Sequence, residues 1–159
     1  MKTEIKWGLI FTLVALLWVL LERLTGLHDK YIQLHPLLSI LFAIPAVVMM
    51  VMAIRERRRE LGGGVTFKQA FLCGLGVSVV IALLAPLAQY LTQNFITPNY
   101  FTNAINYSVQ KGLQTREQAE LYFSLKSYIL QASLSGLVIG VITSLILAVT
   151  MRSKIPHKS

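Results

Sequence analysis

Charge and cysteine are the scarce commodities of this chain. Only 14% of its 159 residues are Asp, Glu, Lys or Arg, against about a quarter in a typical soluble domain, so an ordinary solvated surface is excluded. The lone cysteine, Cys73, rules out an internal disulfide. It lies within an apolar run, reads as a small buried residue, and is too far from the N-terminus to carry a lipoprotein anchor. No H-E-x-x-H, G-x-S-x-G or paired-cysteine motif occurs. No carboxylate pair falls inside an apolar run. The triplet Gly62-Gly63-Gly64 lacks the Gly-Lys-Ser/Thr ending of a phosphate-binding loop and reads as a turn. These absences lead us to expect a protein that is not an enzyme and holds neither cofactor nor metal.

What the chain has in abundance is hydrophobic residues, 55% of the total. They fall into four long runs, which predict membrane spans at about 5–24, 36–54, 70–91 and 128–151. Nineteen residues at about 1.5 Å each reach about 28 Å, close to the hydrocarbon thickness. Met1 to Lys6 is a basic head, and Trp7 to Leu21 is almost unbrokenly apolar. No small-x-small cleavage site follows, so the first span is expected to stay. Pro45 should kink the second span and Pro86 the third. The expected fold is an all-α membrane protein of one domain, 1–159. It has four transmembrane helices, a short extracytoplasmic amphipathic helix and a long protruding fourth helix.

The stretch Arg55-Glu56-Arg57-Arg58-Arg59-Glu60-Leu61-Gly62-Gly63-Gly64 sits between the second and third runs. Arg55, Arg57, Arg58 and Arg59 at a span end favour the cytoplasmic side. With the N-terminus also inside, 10 of the 15 Lys and Arg lie in the cytoplasm and 5 outside. That distribution makes the net charge of +8 topogenic, with no nucleic-acid partner. Anionic lipid headgroups are the alternative use of the cluster. Thr66 and Gln69 match a capping box, so the third helix should begin near Phe67. The basic tail, the glycines and Val65-Thr66-Phe67-Lys68-Gln69-Ala70-Phe71, leading into Gly74-Leu75-Gly76, resemble the bacterial membrane family labelled domain of unknown function 4199. The resemblance covers roughly Ile5 to Met151. It implies a four-span architecture in the bacterial inner membrane and supplies no catalytic residue.

Residues 92–127 form the one sizeable extracytoplasmic segment. Thr97 before Pro98 reads as a helix start. Phe101, Ile105 and Val109 then mark the apolar face of an interfacial helix, with Asn103 and Asn106 turned away. Gly112 should cap it. A second capping box, Thr115 to Gln118, opens a helix with no obvious break before Met151. Glu22 and Arg23 are expected as a solvated pair at the headgroups, and His28 and His35 as interfacial histidines. Pro36 argues against one continuous helix carrying both.

Small residues recur every fourth position in two spans: Ala70, Gly74, Ser78 and Ala82 in the third, and Ala132, Gly136, Gly140, Ser144 and Ala148 in the last. Such ladders let membrane helices approach closely. Pairing within one chain is expected, with homodimerisation as the rival. The functional expectation is a non-enzymatic accessory or scaffold protein among membrane lipids, with a protein partner or homo-oligomer possible. The alternative is a small transporter or channel subunit acting as an oligomer, its path lined by Gln89, Gln131 and Ser135.

Overall fold

The computed structural model describes residues 1–153. The expected cytoplasmic positions of Lys154 and Lys158 lie outside the described residues. Four helical stretches are long and apolar enough to cross a membrane: Lys2–Leu24, Ile32–Glu60, Phe67–Ile96 and Leu125–Met151. The chain is a multi-pass, all-α membrane protein. Its outward faces are apolar, with Leu9, Leu13 and Leu17 on the first span and Leu134, Val138 and Ile142 on the last all exposed.

The regular helices are α1 (Lys2–Leu24), α2 (His35–Leu38), α3 (Ala43–Glu60), α4 (Phe67–Leu91), α5 (Tyr100–Gln110), α6 (Arg116–Tyr122) and α7 (Leu125–Met151). Helix α4 is the centre of the bundle and packs against α1, α3 and α7. It meets α7 through reciprocal glycine–serine contacts. A β-carbon built on Gly140 would lie 2.5 Å from Ser78 Cβ, and one on Gly74 would lie 2.8 Å from Ser144 Cβ. Only hydrogen at these positions permits the approach. Helix α1 uses the same device, with Gly8 against Val80.

The sequence and the structure differ at three joints. The second span is not one helix kinked at Pro45. A 3₁₀ turn over Ser39–Phe42 joins α2 to α3, and Pro45 sits in the first turn of α3. A proline lacks the amide that would bond four residues back, so the preceding turn tightens instead. The helix expected to run unbroken from Arg116 to Met151 divides at Phe123–Ser124, where Ser124 accepts from the Ser127 amide and opens α7. Helix α5 starts at Tyr100, not after Thr97, following a turn closed by Tyr100 N–H to the Thr97 carbonyl.

Both capping boxes form, at Thr66/Gln69 and Thr115/Gln118. Gly112, at φ +66°, ends α5 with its amide on the Val109 carbonyl, while the Leu113 amide reaches Ser108. This satisfies the last carbonyls of the helix. At the other end of the molecule, Gly62 and Gly63 take φ of +82° and +100° and end α3. The loop after them is clasped by Ser153, whose amide donates to the Val65 carbonyl and whose hydroxyl accepts from the Val65 amide.

Candidate functional site

The arginine loop and the N-terminal turn of α1 lie at one end of the bundle, and α5 and α6 form a cap at the other. The cap end holds the chemistry. Helix α1 ends at Leu24, and Gly26, at φ +79°, reverses the chain. The Gly26 amide bonds Arg23 and the Leu27 amide bonds Glu22. This reversal folds His28 back over the last turn of α1. Helix α2 then supplies His35, and Ser39 follows one turn later on the same face.

Glu22 is therefore buried, 6% exposed, and does not form the solvated headgroup pair expected from its terminal position. Neighbours on a helix point about 100° apart, and here the two charges part company. Arg23 turns outward to the Phe95 and Ile96 carbonyls, which end the π-helical turn after α4. Glu22 turns inward. Its Oε1 accepts from Ser39 Oγ at 2.6 Å and from Trp18 Nε1 at 2.9 Å. Trp18 thus serves the carboxylate. Oε2 faces two imidazoles, His28 Nε2 at 3.4 Å and His35 Nε2 at 3.7 Å. One ligand atom from each of the three side chains falls within 4.8 Å of the others.

Aromatic residues of the cap close over this cluster. Tyr100 lies 5.0 Å from the His28 ring and 5.1 Å from the His35 ring, centroid to centroid. Its hydroxyl is 3.4 Å from His35 Nδ1 and 3.1 Å from the Tyr128 hydroxyl. Burial pushes the Tyr100 phenol above its usual range, against the opposing Tyr128 hydrogen bond, so it remains a neutral hydroxyl. Asn103 donates to the His28 carbonyl at 3.0 Å, which fixes the turn. The buried face of α5 is accordingly Tyr100, Ala104 and Ser108, one residue round from the Phe101, Ile105 and Val109 face expected from the sequence.

Behind the cluster lies a cavity of about 260 Å³, lined also by Gln89, Thr92, Gln93 and Thr97. Gln89 Oε1, Gln93 Oε1, Thr97 Oγ1 and His28 Nδ1 are buried there without a partner among the described residues. Buried polar atoms are normally satisfied, so four in one place call for water or another polar group in this chamber. A second, apolar cavity of about 520 Å³ lies deeper among α1, α3, α4 and α7 and shares Ala15, Ser39, Phe42 and Gln89 with the chamber wall.

The residues singled out in the sequence fall mostly elsewhere. Arg57 pairs with Glu60 at 2.9 Å, and Arg58 Nε donates to the Gly63 carbonyl at 2.6 Å. Arg55 and Arg59 are exposed. Gly74, Ser78, Gly140 and Ser144 meet at the α4–α7 seam. Ala82 accepts there from Ser133 through its carbonyl. Ala132 and Gly136 line the apolar cavity, and a β-carbon on Gly136 would touch nothing within 4 Å. The ladder drifts around α7 and leaves the seam above Gly140, as a four-residue row must on a helix of 3.6 residues per turn. The expected contact at Gly136 is absent for that reason.

Glu22, His28 and His35 were legible as residues but not as a cluster. The signal that would have joined them is Gly26 between two short polar stretches, a chain reversal directly after a span.

These features define a class: a four-span helical membrane protein with a buried carboxylate–imidazole cluster at one end. The chain belongs to the family described as protein of unknown function (DUF4199), whose model matches residues 6–153. No curated protein and no solved structure matches it.

Proposed function

We propose that this is a non-enzymatic accessory protein of the bacterial inner membrane that acts through its extracytoplasmic cap. The arginine end is cytoplasmic in this reading, since Arg55, Arg57, Arg58 and Arg59 obey the charge bias for that side, and Arg55 and Arg59, exposed and without an ion-pair partner among the described residues, suit anionic headgroups. The observation that carries the proposal is the anchoring of the cap. Tyr100, Asn103 and Tyr128 tie it to the buried cluster below, while Leu113 and Leu121 stay exposed on its outer side. Exposed leucines on a cap tied down in this way suit contact with a protein partner or a second copy.

Gln89 favours the transporter reading, because it lines both the chamber and the apolar cavity. Gln131 and Ser135 do not support it. Gln131 donates to Ser127 on its own helix, and Ser135 is exposed on the outer surface of α7. Photo-crosslinkers at Leu113 and Leu121, in intact membranes, should give one discrete adduct, with a partner or with a second copy. Solute flux in proteoliposomes, with no cap adduct, would overturn the accessory reading in favour of transport.

A further inference from the structure

The geometry points to a transition-metal site of the zinc type, formed by Glu22 Oε2, His28 Nε2 and His35 Nε2, with its remaining position open to the polar chamber. The inference does not depend on the accessory reading. A buried ion pair is the competing account of these three residues, and the distances are long for its hydrogen bonds. A charge-assisted hydrogen bond between imidazolium and carboxylate should be about 2.7–2.9 Å. The observed separations are 3.4 and 3.7 Å. Zinc–nitrogen and zinc–oxygen bonds of about 2.0–2.2 Å at tetrahedral angles put ligand atoms about 3.3–3.6 Å apart. The His28 separation falls within that range and the His35 separation just above it, and all three ligand atoms lie within 4.8 Å of one another, so a small inward movement of the side chains would close them on one ion.

The outer contacts point the same way. Ser39 and Trp18 occupy Oε1 and leave Oε2 for the imidazoles. Tyr100 engages His35 Nδ1. In the tautomer with its proton on Nδ1, the phenol oxygen accepts that proton and Nε2 presents its lone pair to the ligand position. Partners of this kind are what orient metal-binding histidine and carboxylate. Two nitrogen ligands favour zinc-type ions over magnesium or calcium. Three protein ligands leave a place for water or a ligand atom. The unpartnered Gln89, Gln93 and Thr97 atoms lie in the chamber that such a water would occupy.

The test uses the full chain in lipid nanodiscs, carrying an affinity tag without histidine and stripped with chelator. Titration with Co²⁺ should bind one ion per chain and give the visible absorption of low-coordinate cobalt, which Zn²⁺ then displaces. Glu22→Gln and His35→Ala should each weaken binding at least about 100-fold, and Ser39→Ala about 10-fold. His157→Ala, which removes the only other histidine, should leave it unchanged. His35→Cys keeps a ligand atom and should add a sulfur-to-cobalt charge-transfer band, which no merely structural role would produce. No cobalt uptake by the unaltered chain, wild-type affinity in Glu22→Gln, or no charge-transfer band in His35→Cys would each overturn the site.

Discussion

Replacing Gly140 by alanine sets a methyl carbon 2.5 Å from Ser78 Cβ. Ordinary contacts of this kind begin at 3.4 Å, so α4 and α7 must separate by about 0.9 Å at that point. Ser78 cannot relieve the clash by rotating, because its Cβ moves only with the backbone. A gap of about 0.5–1 Å forfeits a quarter to a half of each dispersion contact along the seam. Between membrane spans these contacts have no hydrophobic effect to replace them. Overpacking of this size costs about 1–3 kcal/mol, and Gly140→Leu should cost more. Gly136→Ala, one turn away on the same helix, meets nothing within 4 Å and should change stability by less than about 0.5 kcal/mol. Ser78→Gly removes the clashing carbon, so the double variant should be less destabilised than the sum of the singles, by about 0.5–3 kcal/mol. Reversible unfolding in mixed detergent–SDS micelles, followed by helicity, reads all five variants. Equal effects of alanine at 136 and 140, or no coupling between 78 and 140, would refute the account of the seam.

Two further outcomes concern topology. Replacing Arg57, Arg58 and Arg59 together with lysine should leave membrane insertion intact, while glutamine should weaken it; loss of a bound lipid in the lysine variant alone would show that guanidinium geometry matters. In a Cys73→Ser background, an impermeant thiol reagent should label a cysteine at Asn106 from outside and spare one at Gly63 until the membrane is breached, and the reverse pattern would invert the proposed orientation.

The architecture was largely legible because its determinants are local. Apolar runs set the four spans, Thr66/Gln69 and Thr115/Gln118 set two helix starts, and glycines at 62, 63 and 112 set two helix ends. The break before α7 was missed because it rests on Ser124 alone, a cap with no proline or glycine to announce it. The site was illegible for a different reason. Glu22 stands at a span end, where a charged residue ordinarily meets water. Whether it does so depends on where the chain goes next. Gly26 returns the chain over Glu22, and α5, some 75 residues later in sequence, seals it with Tyr100 and Asn103. A buried carboxylate costs several kcal/mol unless its oxygens are engaged, and the residues that engage it come from three stretches, at Trp18, at His28 and at His35 with Ser39. No periodicity in the sequence records that convergence.

Zinc K-edge X-ray absorption on the purified protein in nanodiscs, loaded with one equivalent of Zn²⁺, tests the cluster most directly. The account predicts a shell of two imidazole nitrogens with oxygen at about 2.0–2.2 Å, and loss of the imidazole scattering in the His28→Ala, His35→Ala double variant. A spectrum of hydrated zinc, or an imidazole signal that survives the double variant, would contradict it.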